Sequence, residues 1–172
     1  MMTVVIGGSK CGKSGYAEKI LDSFDGKKLY IATMIPYGSE AHTAIERHRE
    51  MRRNKGFETI EKYTALNEIV LSGKCAVLLE CMGNLLANEM FGVGKITNPI
   101  ENILSGVESL NTQAEQLVIV TNNIACDGIS YESGTMEYIR NMGEINRCLC
   151  ETADNVIECV YGIPLAVKGK LL

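Results

Sequence analysis

The sequence predicts an α/β fold, a three-layer sandwich in which a mostly parallel sheet carries helices on both faces. Two patterns say so. Short apolar, β-branched runs alternate along the chain with segments of helical period, as successive βαβ units require. One of those runs, "CAVLL", is apolar throughout, which marks a strand covered from both sides. The 172 residues, 46% hydrophobic and 22% charged, fit one domain, residues 1–172, with an ordinary packed core.

Taken in order, the first strand is expected over Thr3 to Ile6, where two glycines end the run. A helix follows from Lys13 to Phe24, a strand from Leu29 to Ala32 and a second helix from Ser39 to Arg53. Cys75 to Leu79 reads as the next strand and Met82 to Phe91 as the next helix. "GVGKITNP" breaks the period with glycine, asparagine and Asn98-Pro99, so it is a loop before a helix at Ile100 to Asn111. After a strand at Leu117 to Thr121, "NNIACDGISYESG" carries turn residues and is a second loop, at the sheet edge where α/β proteins bind ligands. In Thr135 to Ala153, Ile139, Met142, Ile145, Leu149 and Ala153 step by three or four, giving a helix with one apolar face for the sheet. A strand at Asn155 to Tyr161 precedes "YGIPLAVKGKLL", a short hairpin or an edge strand, because Pro164 cannot donate to a central ladder.

A formal net charge of -4 argues against general affinity for nucleic acid or an anionic membrane, so any anion must be caught locally. Glycines and lysines interrupt "MMTVVIGGSKCGKS" before a signal-type apolar stretch develops, and no later run is long enough to span a bilayer. A cytoplasmic protein with no membrane insertion is expected. Seven cysteines, an odd number without a C-x-x-C pair, suit a reducing compartment. Cys148 and Cys150 would diverge by about 200° on a helix. Buried small apolar side chains are the expected reading of the set. No internal repeat or linker implies a second domain.

Gly7-Gly8-Ser9-Lys10-Cys11-Gly12-Lys13-Ser14 satisfies G-x-x-x-x-G-K-[ST], directly after a strand and opening a helix. Glycines let successive backbone N–H groups point at phosphate oxygens, and the helix terminus adds its positive end. Lys13 would reach the outer phosphates and Ser14 would ligate Mg²⁺, so the fold is expected to be P-loop NTPase-like. A metal-side carboxylate is also needed, usually from a neighbouring strand, and Glu80 is the first charged residue of "CAVLLE". Guanine-reading N-K-x-D is missing from "VTNNIACD", which weakens a GTP-switch reading.

"AIERHREMRRNKG" crowds Arg47, Arg49, Arg52, Arg53 and Lys55 around His48. By spacing, His48 shares a helix face with Ala41 and Ile45, as a partly buried structural histidine would. Yet guanidinium clusters bind phosphate through paired planar bonds, and cations beside an imidazole favour its neutral, nucleophilic form. Both readings stand on spacing alone. His42 reads as surface.

Together with "YIAT", "FETIE", "LLECMGNLLANEMF", "VIVTNN", "DGI" and "GEINRCLCETADNVIECVYGIPLAVKG", these stretches resemble the bifunctional adenosylcobinamide kinase and adenosylcobinamide-phosphate guanylyltransferase family over nearly the whole chain. The resemblance implies phosphorylation of adenosylcobinamide by ATP or GTP, then transfer of GMP from GTP through a guanylylated histidine, His48. It further implies nucleotide contacts at the P-loop, at Ile31, Ala32 and Thr33, at Arg49, Glu50, Met51 and Arg52, and at Glu61 and Glu80, in a homotrimer. The chain departs from the family pattern at Gly38, Ala41 and Ala44 ahead of the histidine, at Phe57, at Asn123 and Ala125, at Tyr131, and at Tyr138, Ile139 and Arg140 of the F-R-D-x-x-G element. These changes fall mostly on the acceptor side. A P-loop kinase or nucleotidyltransferase of another small acceptor, and a nucleotide-binding module with an activity lost, are the alternative readings.

Overall fold

The computed structural model describes residues 1–94, 96–124 and 128–172, apart from the side chains of Glu40, Ala41, Ala44 and Met51. Its elements are β1 (Met2–Gly7), α1 (Lys13–Ile20), β2 (Lys27–Ala32), α2 (Gly38–Arg52), β3 (Phe57–Glu61), a 3-10 turn (Leu66–Glu68), β4 (Cys75–Glu80), α3 (Met82–Phe91), α4 (Pro99–Gln113), β5 (Gln116–Asn122), α5 (Ser133–Thr152), β6 (Asn155–Val160) and β7 (Ile163–Lys168). They build a seven-stranded sheet in the order β3-β2-β4-β5-β1-β6-β7. Every pairing is parallel except that of β7 with β6.

Alternation along the central strands divides two apolar layers. Val77 and Leu79 of β4, with Leu117 and Ile119 of β5, face α3, α4 and α5 through Leu85, Leu86, Ile103, Leu110, Ile145 and Leu149. Ala76, Leu78, Val118 and Val120 face the other way, onto Ala17 and Leu21 of the α1 region. The sandwich is therefore three layers deep. Each fully buried leucine or isoleucine contributes about 1.5–3 kcal/mol by leaving water, and all six residues of β4 are buried.

β3 was not among the strands the sequence predicts. It is a five-residue edge strand in which only Phe57 and Ile60 are even half-buried, so neither alternation nor an apolar run announces it. The first helix stops at Ile20, short of Phe24, because Leu21 closes its last turn. "YGIPLAVKGKLL" forms an edge strand joined to β6 through Tyr161 and Gly162, both at positive φ. Glu80 does not come from a strand adjoining β1, as expected: β5 lies between β4 and β1. Cys75 and Cys159 are buried, but Cys11, Cys81, Cys148 and Cys150 are only half-buried, so the cysteines are not uniformly core. Cys126 lies outside the described residues, as do Lys95, Ala125 and Asp127 of the two expected loops.

β1 leads to α1 on one face and on toward β2, whereas β5 leads to α5 on the opposite face and on toward β6. Connections that part in this way open a crevice at the carboxyl ends of β1 and β5. Among the described residues, no helix is long and apolar enough to cross a membrane.

Candidate active site

The crevice is a cleft of about 780 Å³, walled by Ser9 to Gly15 and by residues from the ends of β2, β3, β4 and β5. Lys10 and Gly12 sit at φ 56° and 92°, which turns the backbone of the loop into a curl. A side chain at position 12 would also meet Gly162 Cα at 3.2 Å, so the loop and the β6–β7 turn close on each other there. α1 begins at Lys13 with no side chain capping its first N–H groups. Those donors, with the helix dipole behind them, suit an anion. The Lys13 ammonium is mostly buried and donates to Gly8 O at 2.8 Å.

Glu80 joins the loop to the rest of the site. Its carboxylate is almost fully buried. Oε1 accepts from the Ser14 hydroxyl and lies 3.5 Å from His48 Nδ1, while Oε2 accepts from the Tyr30 hydroxyl at 3.1 Å. Burial, then the negative charge of Glu80, pushes the Tyr30 phenol far above its ordinary range, so it remains a donor. A hydroxyl and a carboxylate oxygen in contact form the hard-oxygen donor set that Mg²⁺ takes in nucleotide sites. The side chains at 14 and 80 therefore fit that ion.

α2 lays its cations over the cleft. The Arg52 guanidinium stacks on the Tyr30 ring at 3.3 Å from its centre, with Nη1 buried and without a hydrogen-bond partner among the described residues. Arg49 bridges Glu46 at 2.8 Å and Glu61 at 3.3 Å. Lys55, just past the helix, reaches the fully buried Glu18 of α1 at 2.6 Å. The His48 side chain is 15% exposed, and its Nδ1 is buried. With Lys10, Lys13 and Arg47 also on the wall, cations outnumber the carboxylates of Glu61 and Glu80, and the cleft is locally positive in a net acidic chain.

Of the residues singled out in the sequence, Ser9 to Ser14, Ala32, His48, Arg49, Arg52, Glu61 and Glu80 line this cleft. Ile31 is in the core, and Thr33 is buried with its hydroxyl bonded to both Cys81 O and Cys81 N at 2.8 Å. Glu50 turns outward to Arg53, 3.5 Å away, and the Met51 side chain lies outside the described residues. Gly7 ends β1, and Gly8 offers its carbonyl to Lys13. His42 is exposed, as expected of a surface residue, yet it borders the cleft.

Tyr30, Tyr63, Asn84 and Asn122 also line the wall, and sequence reading passed them over. Asn88 holds the cleft edge together by donating to Thr33 O at 2.8 Å and Tyr63 O at 3.0 Å. The signal available was the Asn84/Asn88 pair, four residues apart in an otherwise apolar helix.

Residues 3–167 match the family model described as cobinamide kinase / cobinamide phosphate guanyltransferase. The bifunctional adenosylcobalamin biosynthesis protein CobU of Escherichia coli is 30% identical, over 98% of this chain and 100% of its own. The protein of the same name from Salmonella typhimurium is 28% identical over the same shares, and CobP of Pseudomonas aeruginosa 25% over the full length of both. Among solved structures, the P4 protein of bacteriophage phi6 in complex with ADP aligns with 95% of the chain at 12% identity and a TM-score of 0.47; the aligned region spans 52% of P4. The chain belongs to the cobinamide kinase / cobinamide phosphate guanyltransferase family, and is a transferase.

Proposed function

We propose that the protein phosphorylates adenosylcobinamide with ATP or GTP and then transfers GMP from GTP to the resulting phosphate through a nucleotide held covalently on His48. One observation carries this reading: a half-buried imidazole and the P-loop serine meet on the same carboxylate, Glu80, so a nucleophile faces the phosphate cradle.

In the kinase step the loop from Gly7 to Ser14 holds the donor's phosphates, and Lys13 offsets charge on the transferred group. In the second reaction an imidazole nitrogen of His48 attacks the α-phosphorus of GTP. A P–N bond forms, the P–O bond to the β-phosphate breaks and pyrophosphate leaves. An oxygen of the acceptor's phosphate then attacks the same phosphorus, breaks the P–N bond and frees the imidazole. Arg49 and Arg52 offset charge on the phosphates, and Ile31, Ala32, Thr33, Glu50, Met51 and Glu61 complete the nucleotide contacts. Ser14 and Glu80 would hold Mg²⁺, which adds positive charge at the phosphates when bound.

The reading places a single domain of residues 1–172 in the cytoplasm as a homotrimer. Support for association comes from β7, an edge strand with Ile163, Leu165 and Val167 exposed together on alternate positions.

Incubation with α-labelled GTP and Mg²⁺ tests the chemistry. The expected result is label that stays on the denatured chain, survives alkali, is released by acid and is absent from His48→Asn. Label retained by that variant would sink the proposal.

A further inference from the structure

Glu80 is held in place without help from α2. Ser14 of α1 donates to its Oε1 and Tyr30 of β2 donates to its Oε2 at 3.1 Å, so donors from two elements fix the plane of the carboxylate. The imidazole of His48 must fit against a group already set. It does so with one edge: Nδ1 lies 3.5 Å from Glu80 Oε1 and is buried, without a hydrogen-bond partner in bonding geometry among the described residues. The side chain lines the cleft and is 15% exposed, so its opening to the cleft is elsewhere than at Nδ1.

The two nitrogens of a neutral imidazole differ: one carries the proton and donates, the other carries an in-plane lone pair. A lone pair on Nδ1 would stand against a buried carboxylate oxygen, where little water screens the repulsion. A proton on Nδ1 turns the same approach into a charge-assisted N–H···O contact, of the kind that is long in an empty site and tightens in a loaded one. The lone pair is then on Nε2. Access gives the same answer, since phosphorus must approach along a lone pair and a buried Nδ1 beside a carboxylate leaves it no room.

We infer that Glu80 is a positioning residue for the covalent step, holding His48 as its Nδ1–H tautomer so that Nε2 is the nucleophile; this rests on the guanylylated histidine proposed above. The Nε2 lone pair attacks the α-phosphorus of GTP, a P–Nε2 bond forms, the P–O bond to the β-phosphate breaks and pyrophosphate leaves. The ring is now cationic, and the proton stays on Nδ1, where the carboxylate offsets its charge. That charge keeps the imidazole a good leaving group. When an oxygen of the acceptor's phosphate attacks, the electron pair of the P–N bond returns to Nε2 and the neutral Nδ1–H tautomer is restored. No proton leaves the ring in either half. Glu80 can serve the ring beside Ser14 and a metal ion, because its two oxygens offer about four lone-pair positions.

The test uses the full chain with NMR-active nitrogen in its histidine rings, of which it has two, His42 and His48. Long-range proton–nitrogen spectra of the free protein read the tautomer on the neutral ring. After GTP and Mg²⁺ are added, one-bond phosphorus–nitrogen coupling marks the nitrogen that carries the nucleotide, and signals missing from His48→Asn are those of His48. Expected are a proton on Nδ1 before reaction and the phosphorus coupling on Nε2 alone after it. In Glu80→Ala the ring is expected to revert to the Nε2–H tautomer that histidine favours in water, while Glu80→Gln, which keeps an acceptor oxygen, retains Nδ1–H. A nucleotide on Nδ1 overturns the inference and leaves the guanylylated histidine standing. A wild-type Nε2–H tautomer, or a tautomer unmoved in folded Glu80→Ala, overturns the role of Glu80; the wild-type readings decide it even where the alanine variant does not fold. Wild-type protein with no adduct on His48 overturns the covalent step itself, and the assignment of Nε2 with it.

Discussion

Tyr30 meets both sides of the site at once. Its hydroxyl donates to Glu80 at 3.1 Å and its ring carries the Arg52 guanidinium at 3.3 Å. Tyr30→Phe removes one bond to a charged acceptor and keeps the stack, so urea unfolding is expected to show a loss of about 2 kcal/mol. Tyr30→Leu also removes the shelf under Arg52, and single-turnover labelling of His48 is expected to slow further than in the phenylalanine variant. A leucine variant labelling as fast as the phenylalanine one would show that the stack does not position α2. The sequence concealed this residue, because a tyrosine inside "LYIA" reads as strand packing. His48 and Glu80 were legible for the opposite reason: a charged or titratable group among residues of another kind stands out.

Glu89 is a second buried group, with Oε1 accepting from Ala65 N–H at 3.1 Å and from Asn102 Nδ2 at 2.8 Å, and Oε2 without a hydrogen-bond partner among the described residues. Burial raises its pKa above the ordinary 4.5. The folded state then binds the proton more tightly than the unfolded state does. Its contribution is fully present below that ordinary value and is lost as pH climbs through the raised one. Urea midpoints of Glu89→Gln are expected to fall less than those of wild type as pH rises from about 4.

At the scale of elements, α2 is joined to the body by contacts that depend on chain proximity no motif reports. Lys55 and Glu18 are 37 residues apart, and the carboxylate is fully buried. Lys55→Ala leaves that charge without its partner and is expected to cost about 3 kcal/mol in urea unfolding, most of it recovered by the double change Lys55→Met with Glu18→Met. The central strands β1, β4 and β5 were readable because burial on both faces writes itself as an apolar run. β3 was not, since it stands at the sheet edge with three of its five residues exposed. The cleft inherits the same division. The loop and Glu80 follow a readable strand, whereas Tyr63 and Asn88 reach the site through a connection that only the assembled sheet fixes.

For the whole molecule, the proposed trimer gives the edge strand a task. Val167→Lys together with Leu165→Lys places charge on exposed apolar positions and is expected to convert the sedimenting species to a monomer without changing the unfolding free energy of dilute protein by more than about 0.5 kcal/mol. A trimer that survives both changes assembles through another face. Strand order bears on shape in a second way: with β5 between β1 and β4, Ser14 and Glu80 meet across the end of an intervening strand, which closes at Asn122 on the cleft wall.

The ties of α2 described above, through Arg49, Arg52 and Lys55, all fall at its carboxyl end. A rod pinned at one end moves least near the pin. His48 stands four residues from Arg52, about 6 Å along the axis, and Gly38 fourteen residues, about 21 Å, so a given angular swing carries the imidazole less than a third as far as the helix tip. Position 48 thus sits on the short arm of a lever whose fulcrum is the cation-anchored carboxyl end of the helix.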